Sequence, residues 1–306
     1  MLSIDLIEMG LPKSHHYLLG AVGPRPICFA STIDEKGQAN LAPFSFFNVF
    51  SSNPPIAIFS PARSGRTGKQ KDTYNNVKKI AEVVINLVDY KMVEQMSLAS
   101  SPYEPGINEF TKSGFTPIES ENIKPFRVKE SPVQLECIVN DIISLGKEGG
   151  AGNLVICEIK IIHINEEILN DLGKIDPAKI DLVGRMGGDW YCRAFKDSLF
   201  EVEKPLRTLG VGIDQIPMEI RNSNTLSGND LGILGNIEKI PSITEVQEFI
   251  EKNSDINEII HFDKQNLNSI KALHLLAKKL LKQGKTIDAW KILLIYKLKY
   301  YYTLTQ

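Results

Sequence analysis

The sequence has little of what the common catalytic and metal-binding signatures require. Its 306 residues include four scattered cysteines without a C-x-x-C pair, and five histidines without metal-ligand spacing. We therefore predict reduced, mostly buried thiols in a cytoplasmic protein, and no metal site. P-loop, G-x-G-x-x-G, H-E-x-x-H and G-x-S-x-G motifs are missing, so a zinc hydrolase or a Rossmann dehydrogenase has poor support.

The sequence also lacks a strong charge of one sign and long apolar runs. Its formal net charge is -2, and nucleic-acid partners usually leave a basic footprint, so we expect no nucleic-acid partner. No run reaches the eighteen or so apolar residues of a membrane span, so we predict no membrane association. The ordinary composition is typical of a folded globular protein.

Strand periodicity is what the sequence does show, up to about residue 200. A hairpin is predicted from 26–33 through the turn DEKGQA to Asn40, and a second one joins two long alternating runs through the Gly-rich GKEGGAGN. Those alternating runs are 133–143 and 153–164, a further strand is predicted at 55–60, and helices are predicted at 73–82 and 89–100. Many short strands with few helices favour a mainly β fold, a barrel or a sandwich.

The last hundred residues no longer show the strand pattern, and their sequence predicts a helical extension. We predict a domain boundary between 1–204 and 205–306. A Gly-, Asn- and Pro-rich connection begins there and runs to about 241. Ser242 and Glu245 have the spacing of a capping box at the start of a helix. Two further helices are predicted at 266–284 and about 286–302.

The stretch NLAPFSFFNVFSSNPP, residues 40–55, combines an aromatic run with polar groups. We expect the aromatic residues to be buried, namely Phe44, Phe46, Phe47 and Phe50. Polar residues interrupt this run, namely Asn40, Ser45 and Asn48. Either the polar groups are structural, or they bond the edge of a planar heterocycle while the aromatic rings pack on its faces.

A basic cluster follows this stretch. The segment RSGRTGKQKDT, residues 63–73, places Arg63, Arg66, Lys69 and Lys71 among glycines and before the helix start Asp72-Thr73. Backbone amides, a helix N-terminus and cations together form an anion site, although a solvated loop with a helix cap is the alternative. A ring site beside a phosphate site indicates a nucleotide-like cofactor, and FMN fits both ends.

The order of motifs then resembles the flavin reductase-like family, which includes flavoredoxins and the reductase components of two-component monooxygenases. The matching segments are RPICFASTIDEKGQANLAPFSFFNVFSSNPPIAIFS, KDTYNN, VINL, ESPVQLEC and DLVGRMGGDWY, over roughly residues 15–200. The resemblance implies an FMN-binding split β-barrel (Greek-key) with peripheral helices, usually a homodimer. It does not extend to the C-terminal helices.

Site residues follow from the resemblance by position. Ser31 and Thr32 match a strand end beside the flavin ring, and Arg185 matches an arginine near its open face. Arg66 is implied as a helper at the phosphate, for which the family uses a Lys-Asp-Thr motif. The remaining implied cofactor contacts are Asn40, Ala42, Pro43, Phe44, Ser45, Asn48, Lys71, Asp72 and Thr73.

The resemblance implies an oxidoreductase, an NAD(P)H-dependent flavin reductase in which hydride passes from nicotinamide to flavin. No catalytic side chain is predicted, because the stacked rings carry the chemistry and the protein positions them. Two alternatives remain open: a flavoredoxin-like electron carrier reduced by a protein donor, and a flavoprotein component that recruits a monooxygenase through its C-terminal helices. A lid formed by residues 205–235 is a further hypothesis.

Overall fold

The computed structural model describes residues 1–104, 106–205, 209–253 and 267–304. The chain divides into two compact units, Met1–Phe200 and Glu201–Gln306. The domain boundary after residue 204 stays a prediction. No helix in these ranges is long and apolar enough to cross a membrane.

The first unit is built on an antiparallel seven-stranded sheet in the order β2-β1-β5-β8-β9-β4-β3. Two short ribbons, β6 with β7 and β10 with β11, complete the strands. The strands are β1 Cys28–Ile33, β2 Ala39–Phe44, β3 Phe47–Ser52, β4 Pro55–Phe59, β5 Glu82–Leu87, β6 Pro117–Ile118, β7 Arg127–Val128, β8 Val133–Ser144, β9 Asn153–Ile164, β10 Val183–Arg185 and β11 Tyr191–Arg193. Both predicted hairpins are confirmed, as β1 with β2 and β8 with β9.

The sheet closes on itself, because its two edge strands are neighbours in the chain. In a flat sheet, the outer strands β2 and β3 would lie roughly 29 Å apart, at about 4.8 Å per strand spacing. Phe44 ends β2 and Phe47 begins β3. Three peptide units span at most about 11 Å. The sheet must therefore curl into a barrel that is split between β2 and β3.

Strand β1 is buried on both faces, since a core lies on each side of the sheet. Cys28 and Ala30 join the cluster that contains Phe59, and the alternating Phe29 joins the cluster that contains Leu41. The first cluster fills the barrel, and the second packs under the helices Val93–Leu98 and Glu109–Ser113. The helices of this unit are α1 Leu6–Met9, α2 Lys13–Ala21, α3 Asp72–Lys79, α4 Val93–Leu98 and α5 Glu109–Ser113.

The aromatic run is only partly in the core, which corrects one expectation. Phe44 and Phe47 pack against the barrel cluster, whereas Phe46 is 44% exposed and Phe50 is 65% exposed. Phe46 lies in the turn between β2 and β3, and Phe50 lies on an edge strand. The cysteine expectation is confirmed: all four thiols are unpaired, and only Cys192 is not buried.

The second unit is helical and has its own core. Its helices are α6 Met218–Arg221, α7 Gly228–Gly235, α8 Ile243–Glu251, α9 Leu267–Lys282 and α10 Thr286–Leu304. Trp290 is fully buried in this core, and its Nε1 donates to the Leu234 carbonyl at 2.9 Å. The Ser242–Glu245 capping box is confirmed. Two helices, α6 and α7, lie in the segment predicted as irregular, and Ser227 and Asp230 form a capping box at the start of α7. The predicted start of the 266–284 helix at Asn266 lies outside the described residues.

Candidate functional site

A cavity of about 700 Å³ lies in the first unit, beside the edge strand β2. Three segments contribute most of its wall: β2 with the turn after it, the loop that leads into α3, and the segment that follows α4. The lining residues are His15, Asn40, Ala42, Pro43, Phe44, Ser45, Phe46, Ser60, Ala62, Arg63, Ser64, Gly65, Arg66, Gln70, Lys71, Asp72, Thr73, Ala99, Ser100, Ser101, Pro102, Tyr103 and Glu109.

Asn40 links the β2 wall to the start of helix α3. Its Nδ2 donates to Thr73 Oγ1 at 3.0 Å and to Thr32 Oγ1 at 3.1 Å. Asn76 Nδ2 donates to the same Thr32 oxygen at 3.1 Å. These side chains are buried, and buried amide and hydroxyl groups are costly unless they are bonded. The network therefore fixes the distance between the strand and the helix that bound the cavity.

The cationic part of the wall is the loop 63–71, held in place by the Gly-rich loop between β8 and β9. Arg63 N donates to the Ala151 carbonyl at 2.9 Å, and Gly150 N donates to the Arg63 carbonyl at 3.1 Å. A Cβ at Gly149 would lie 3.0 Å from the Ser64 carbonyl oxygen, so glycine allows the two loops to approach this closely. The predicted loose hairpin tip is thus a support for the basic loop.

Two sets of unpaired donors make this end of the cavity suited to an anion. Arg63 Nε is buried and has no hydrogen-bond partner among the described residues. Lys71 precedes helix α3 without capping it through its side chain. The first N–H groups of a helix have no partner within the helix and carry a partial positive charge. With Arg66 in the same wall, these donors match a phosphate group.

Two carboxylates, Asp72 and Glu109, also line the cavity. Glu109 Oε2 accepts from the Leu41 N–H of the edge strand at 3.0 Å. Burial raises the pKa of Glu109, the Leu41 bond opposes that rise, and the charge of Asp72 adds to it. Carboxylate oxygens only accept when ionised, so these groups suit hydroxyl donors rather than a phosphate.

A second cavity of about 460 Å³ adjoins the first and contains Arg185. Pro43, Phe44, Ser45 and Ser100 line both cavities. The Arg185 guanidinium lies 4.6 Å from the centre of the Tyr191 ring. Its Nη2 lies 3.9 Å from a carboxylate oxygen of the fully exposed Asp189, an ion pair that contributes little in water. Arg185 therefore keeps its charge available to the second cavity.

The structure brings most of the sequence-predicted residues to these two cavities. The first cavity contains Asn40, Ala42, Pro43, Phe44, Ser45, Arg66, Lys71, Asp72 and Thr73, and the second contains Arg185. Whether these residues contact a cofactor stays a prediction.

Three predicted residues, Ser31, Thr32 and Asn48, do not line either cavity. Ser31 pairs with Leu41, so its side chain lies on the opposite face of the sheet from Asn40, and it is fully buried. Thr32 is buried beneath Asn40 and accepts a hydrogen bond from it. Asn48 follows the core residue Phe47 on β3, so it points away from the core, and its Oδ1 accepts from the adjacent Val49 N–H.

Several lining residues were absent from the predicted site. Arg63 belonged to the basic cluster, but His15, Glu109 and the segment 99–103 carried no sequence signal. His15 precedes the first strand, and Glu109 is distant in sequence from β2. Only the fold brings them to the cavity.

Comparison with known proteins shows the family of the first unit. The family model described as "Flavin reductase like domain" matches residues 21–176. An uncharacterized protein of Aquifex aeolicus is 35% identical over 186 residues, which cover 60% of this chain and 92% of that protein.

Two solved structures extend the comparison to the fold. Nitrilotriacetate monooxygenase component B from Bacillus cereus has 30% identity and a TM-score of 0.62, covering 66% of this chain and 98% of its own. The 2-nitrobenzoate 2-nitroreductase NbaA of Pseudomonas fluorescens has 27% identity and a TM-score of 0.59, covering 68% of this chain and 100% of its own. Since the family model matches half of the residues, this chain belongs to the flavin reductase-like family.

Proposed function

We propose that this chain binds FMN in the first cavity and acts as an NAD(P)H-dependent flavin reductase. The observation that carries the proposal is that two chemically different segments line one cavity. A polar and aromatic segment at 40–46 lines this cavity together with a cationic loop and a helix start at 63–73. A ligand with a flat ring system and a phosphate matches both segments, the ring at 40–46 and the phosphate at 63–73. When bound, the flavin supplies the redox chemistry by accepting a hydride from the nicotinamide.

The residues of the chain have binding and orienting roles in this proposal. Arg63, Arg66 and Lys71, with the first N–H groups of α3, hold the phosphate. Asp72 and Glu109 accept hydrogen bonds from the hydroxyl groups of the ribityl chain. The segment from Ala42 to Ser45 lies along the ring, and Asn40 fixes that segment relative to α3.

The second cavity is where we place the nicotinamide or another second reactant. It shares Pro43, Phe44 and Ser45 with the first cavity, so its ligand would lie beside the flavin ring. Arg185 supplies a positive charge there, which would attract the phosphates of a nicotinamide nucleotide. No acid–base residue is assigned, because hydride transfer between two stacked rings needs positioning above all.

The proposal also includes a monooxygenase as the partner protein and a homodimer as the oligomeric state. The similarity to a monooxygenase component B supports delivery of reduced flavin to a monooxygenase. A homodimer is supported by the exposed Val49 and Phe50 on edge strand β3, since exposed apolar edges favour pairing with another chain. Sedimentation equilibrium that returns the mass of one chain would remove the dimer from the proposal.

The test is spectroscopic. The purified chain is equilibrated with FMN, separated from free flavin and then titrated anaerobically with NADH and with NADPH. We expect the yellow absorbance of bound flavin and its bleaching by a nicotinamide nucleotide. Bound flavin that bleaches only with a reduced ferredoxin-type donor would replace the reductase by an electron carrier. Failure to retain or quench FMN would reject the flavin site itself.

A further inference from the structure

Arg25 is a buried cation that has no carboxylate partner among the described residues. Its side chain is 6% exposed, just before strand β1. Nη1 donates to the carbonyls of Leu19, at 2.8 Å, and Val22, and Nη2 donates to the Met186 carbonyl at 2.8 Å. Burial, followed by the charge of Arg185, lowers the pKa of Arg25. Burying a charge costs free energy unless the charge is paired or hydrogen-bonded, and these three carbonyl acceptors offset part of that cost.

The same residue reaches the walls of both cavities. Arg25 Nε lies 3.5 Å from Ser45 Oγ, which lines both of them. Its backbone pairs with that of Arg185 in both directions, with N···O distances of 3.0 and 2.8 Å. Arg25 therefore joins the C-terminal end of α2, the turn between β2 and β3, and the strand that carries Arg185.

The segment 11–22, which we name the strap, makes three contacts with segments that form or support the cavity walls. At one end, Leu11 Cδ1 lies against Gly150 of the Gly-rich loop that supports the basic loop. In the middle, His15 lines the first cavity with its ring edge-on to Phe46, at 6.4 Å between centroids. At the other end, Gly20 packs so closely on Gly187 that a Cβ on Gly187 would lie 2.9 Å from Gly20 Cα.

We propose that Arg25 is a positioning residue that fastens the strap along the flavin cavity, so that the His15 ring contacts the bound flavin. This inference rests on the proposed function for the identity of the ligand. The His15 ring has no hydrogen-bond partner in the described part of the chain, and this exposed residue lines the cavity. The family model begins at residue 21, so residues 11–20 of the strap, His15 among them, lie outside the matched range.

A purely structural role for Arg25 would stabilise the fold without affecting ligand binding. The two roles can be separated at the glycine contact, where the strap is displaced without changing Arg25. Gly187→Ala adds a methyl group that must push Gly20 away, while its backbone has no positive φ that would strain an alanine. Gly20→Ala is the matched control: it adds the same methyl group on the other side of the contact, where nothing lies within 4 Å.

The experiment measures three quantities for the full chain and both variants: the unfolding temperature, amide hydrogen exchange of residues 13–22 without ligand, and the FMN dissociation constant. We expect Gly187→Ala to exchange faster in 13–22 and to bind FMN about tenfold more weakly, as a small displacement of a positioned group can produce. Gly20→Ala should match the wild type in FMN affinity, and its residues 13–22 should exchange no faster than in the wild type, because alanine is a better helix former than glycine. All three should unfold at similar temperatures.

Two companion variants test the named side chains. His15→Ala should weaken FMN binding about fivefold, as the loss of one hydrogen bond predicts, with no change in unfolding temperature. Arg25→Lys keeps the charge but cannot reach all of the acceptors, so it should reproduce the effects of Gly187→Ala.

Equal FMN affinity in Gly187→Ala and Gly20→Ala would overturn the strap's role in binding, and wild-type affinity in His15→Ala would overturn the contact. If the wild-type chain itself does not bind FMN, the proposed function fails separately. In that case, the amide exchange of residues 13–22 still tests whether the strap is held in place. Equal exchange in Gly187→Ala and Gly20→Ala would overturn that part of the proposal.

Discussion

Replacing Arg66 with glutamine should weaken the binding of FMN but not of riboflavin, which has the same ring system without the phosphate. Arg66 is exposed on the basic loop and lines the first cavity. A charge-assisted hydrogen bond to phosphate is worth about 1.5 kcal/mol at its lower bound, which is the relevant one for an exposed group. That energy corresponds to about a tenfold rise in the FMN dissociation constant.

Lys69→Gln is the matched control for this prediction. Lys69 lies in the same loop, is exposed and loses the same charge on substitution, but it does not line the cavity. At physiological ionic strength its field is screened over about 8 Å, so we expect less than about a twofold change in FMN affinity.

Both affinities can be measured by quenching of flavin fluorescence, for FMN and riboflavin with each variant. The informative quantity is the ratio of the two dissociation constants, because a general loss of structure would cancel in it. We expect that ratio to change about tenfold in Arg66→Gln alone. An equal loss for both flavins, or an equal effect of Lys69→Gln, would refute the assignment of the phosphate to this loop.

Three further predictions concern other parts of the molecule. The folded-state pKa of Glu109 is raised, so its contribution to stability is fully present below the ordinary glutamate pKa of about 4.3 and is lost as the pH rises through the folded value. The urea midpoint of Glu109→Gln should therefore gain on that of the wild type as the pH rises from about 4, and a difference that stays constant with pH would contradict this. Ser242→Ala should lower the stability of the second unit by about 1 kcal/mol in urea unfolding, through loss of the capping box, and an unchanged transition would contradict the role of the cap. Residues 1–200 alone should bind FMN with the affinity of the full chain, since both cavities lie within this unit; a fall of about tenfold or more would instead support a lid from residues 205–235.

The strands could be predicted from the sequence because period-two alternation reports which face is buried. It located both hairpins, including the long pair β8 and β9. Helix ends were less accurate: α3 ends at Lys79, because the chain must extend again for β5 at Glu82. Closure of the barrel was not visible in the alternation itself. It follows from the strand order, which is a property of the whole sheet.

The candidate site was predictable where its residues are contiguous in the sequence. The runs around Asn40 and Lys71 carried composition signals of their own, and both line the cavity. Ser31 does not line the cavity, because proximity in a motif does not specify the face of a strand, and Thr32 does not line it because it is buried beneath Asn40 on the same face. His15 and Glu109 required the tertiary fold, since each lies on a helix that is remote in sequence from the wall it completes.

The most direct measurement of the central claim is a crystal structure of this chain grown or soaked with excess FMN. We predict electron density for one flavin in the first cavity, with its phosphate against residues 63–73 and its ring along residues 40–46. A cavity without flavin density, or a flavin bound elsewhere on the chain, would contradict the account.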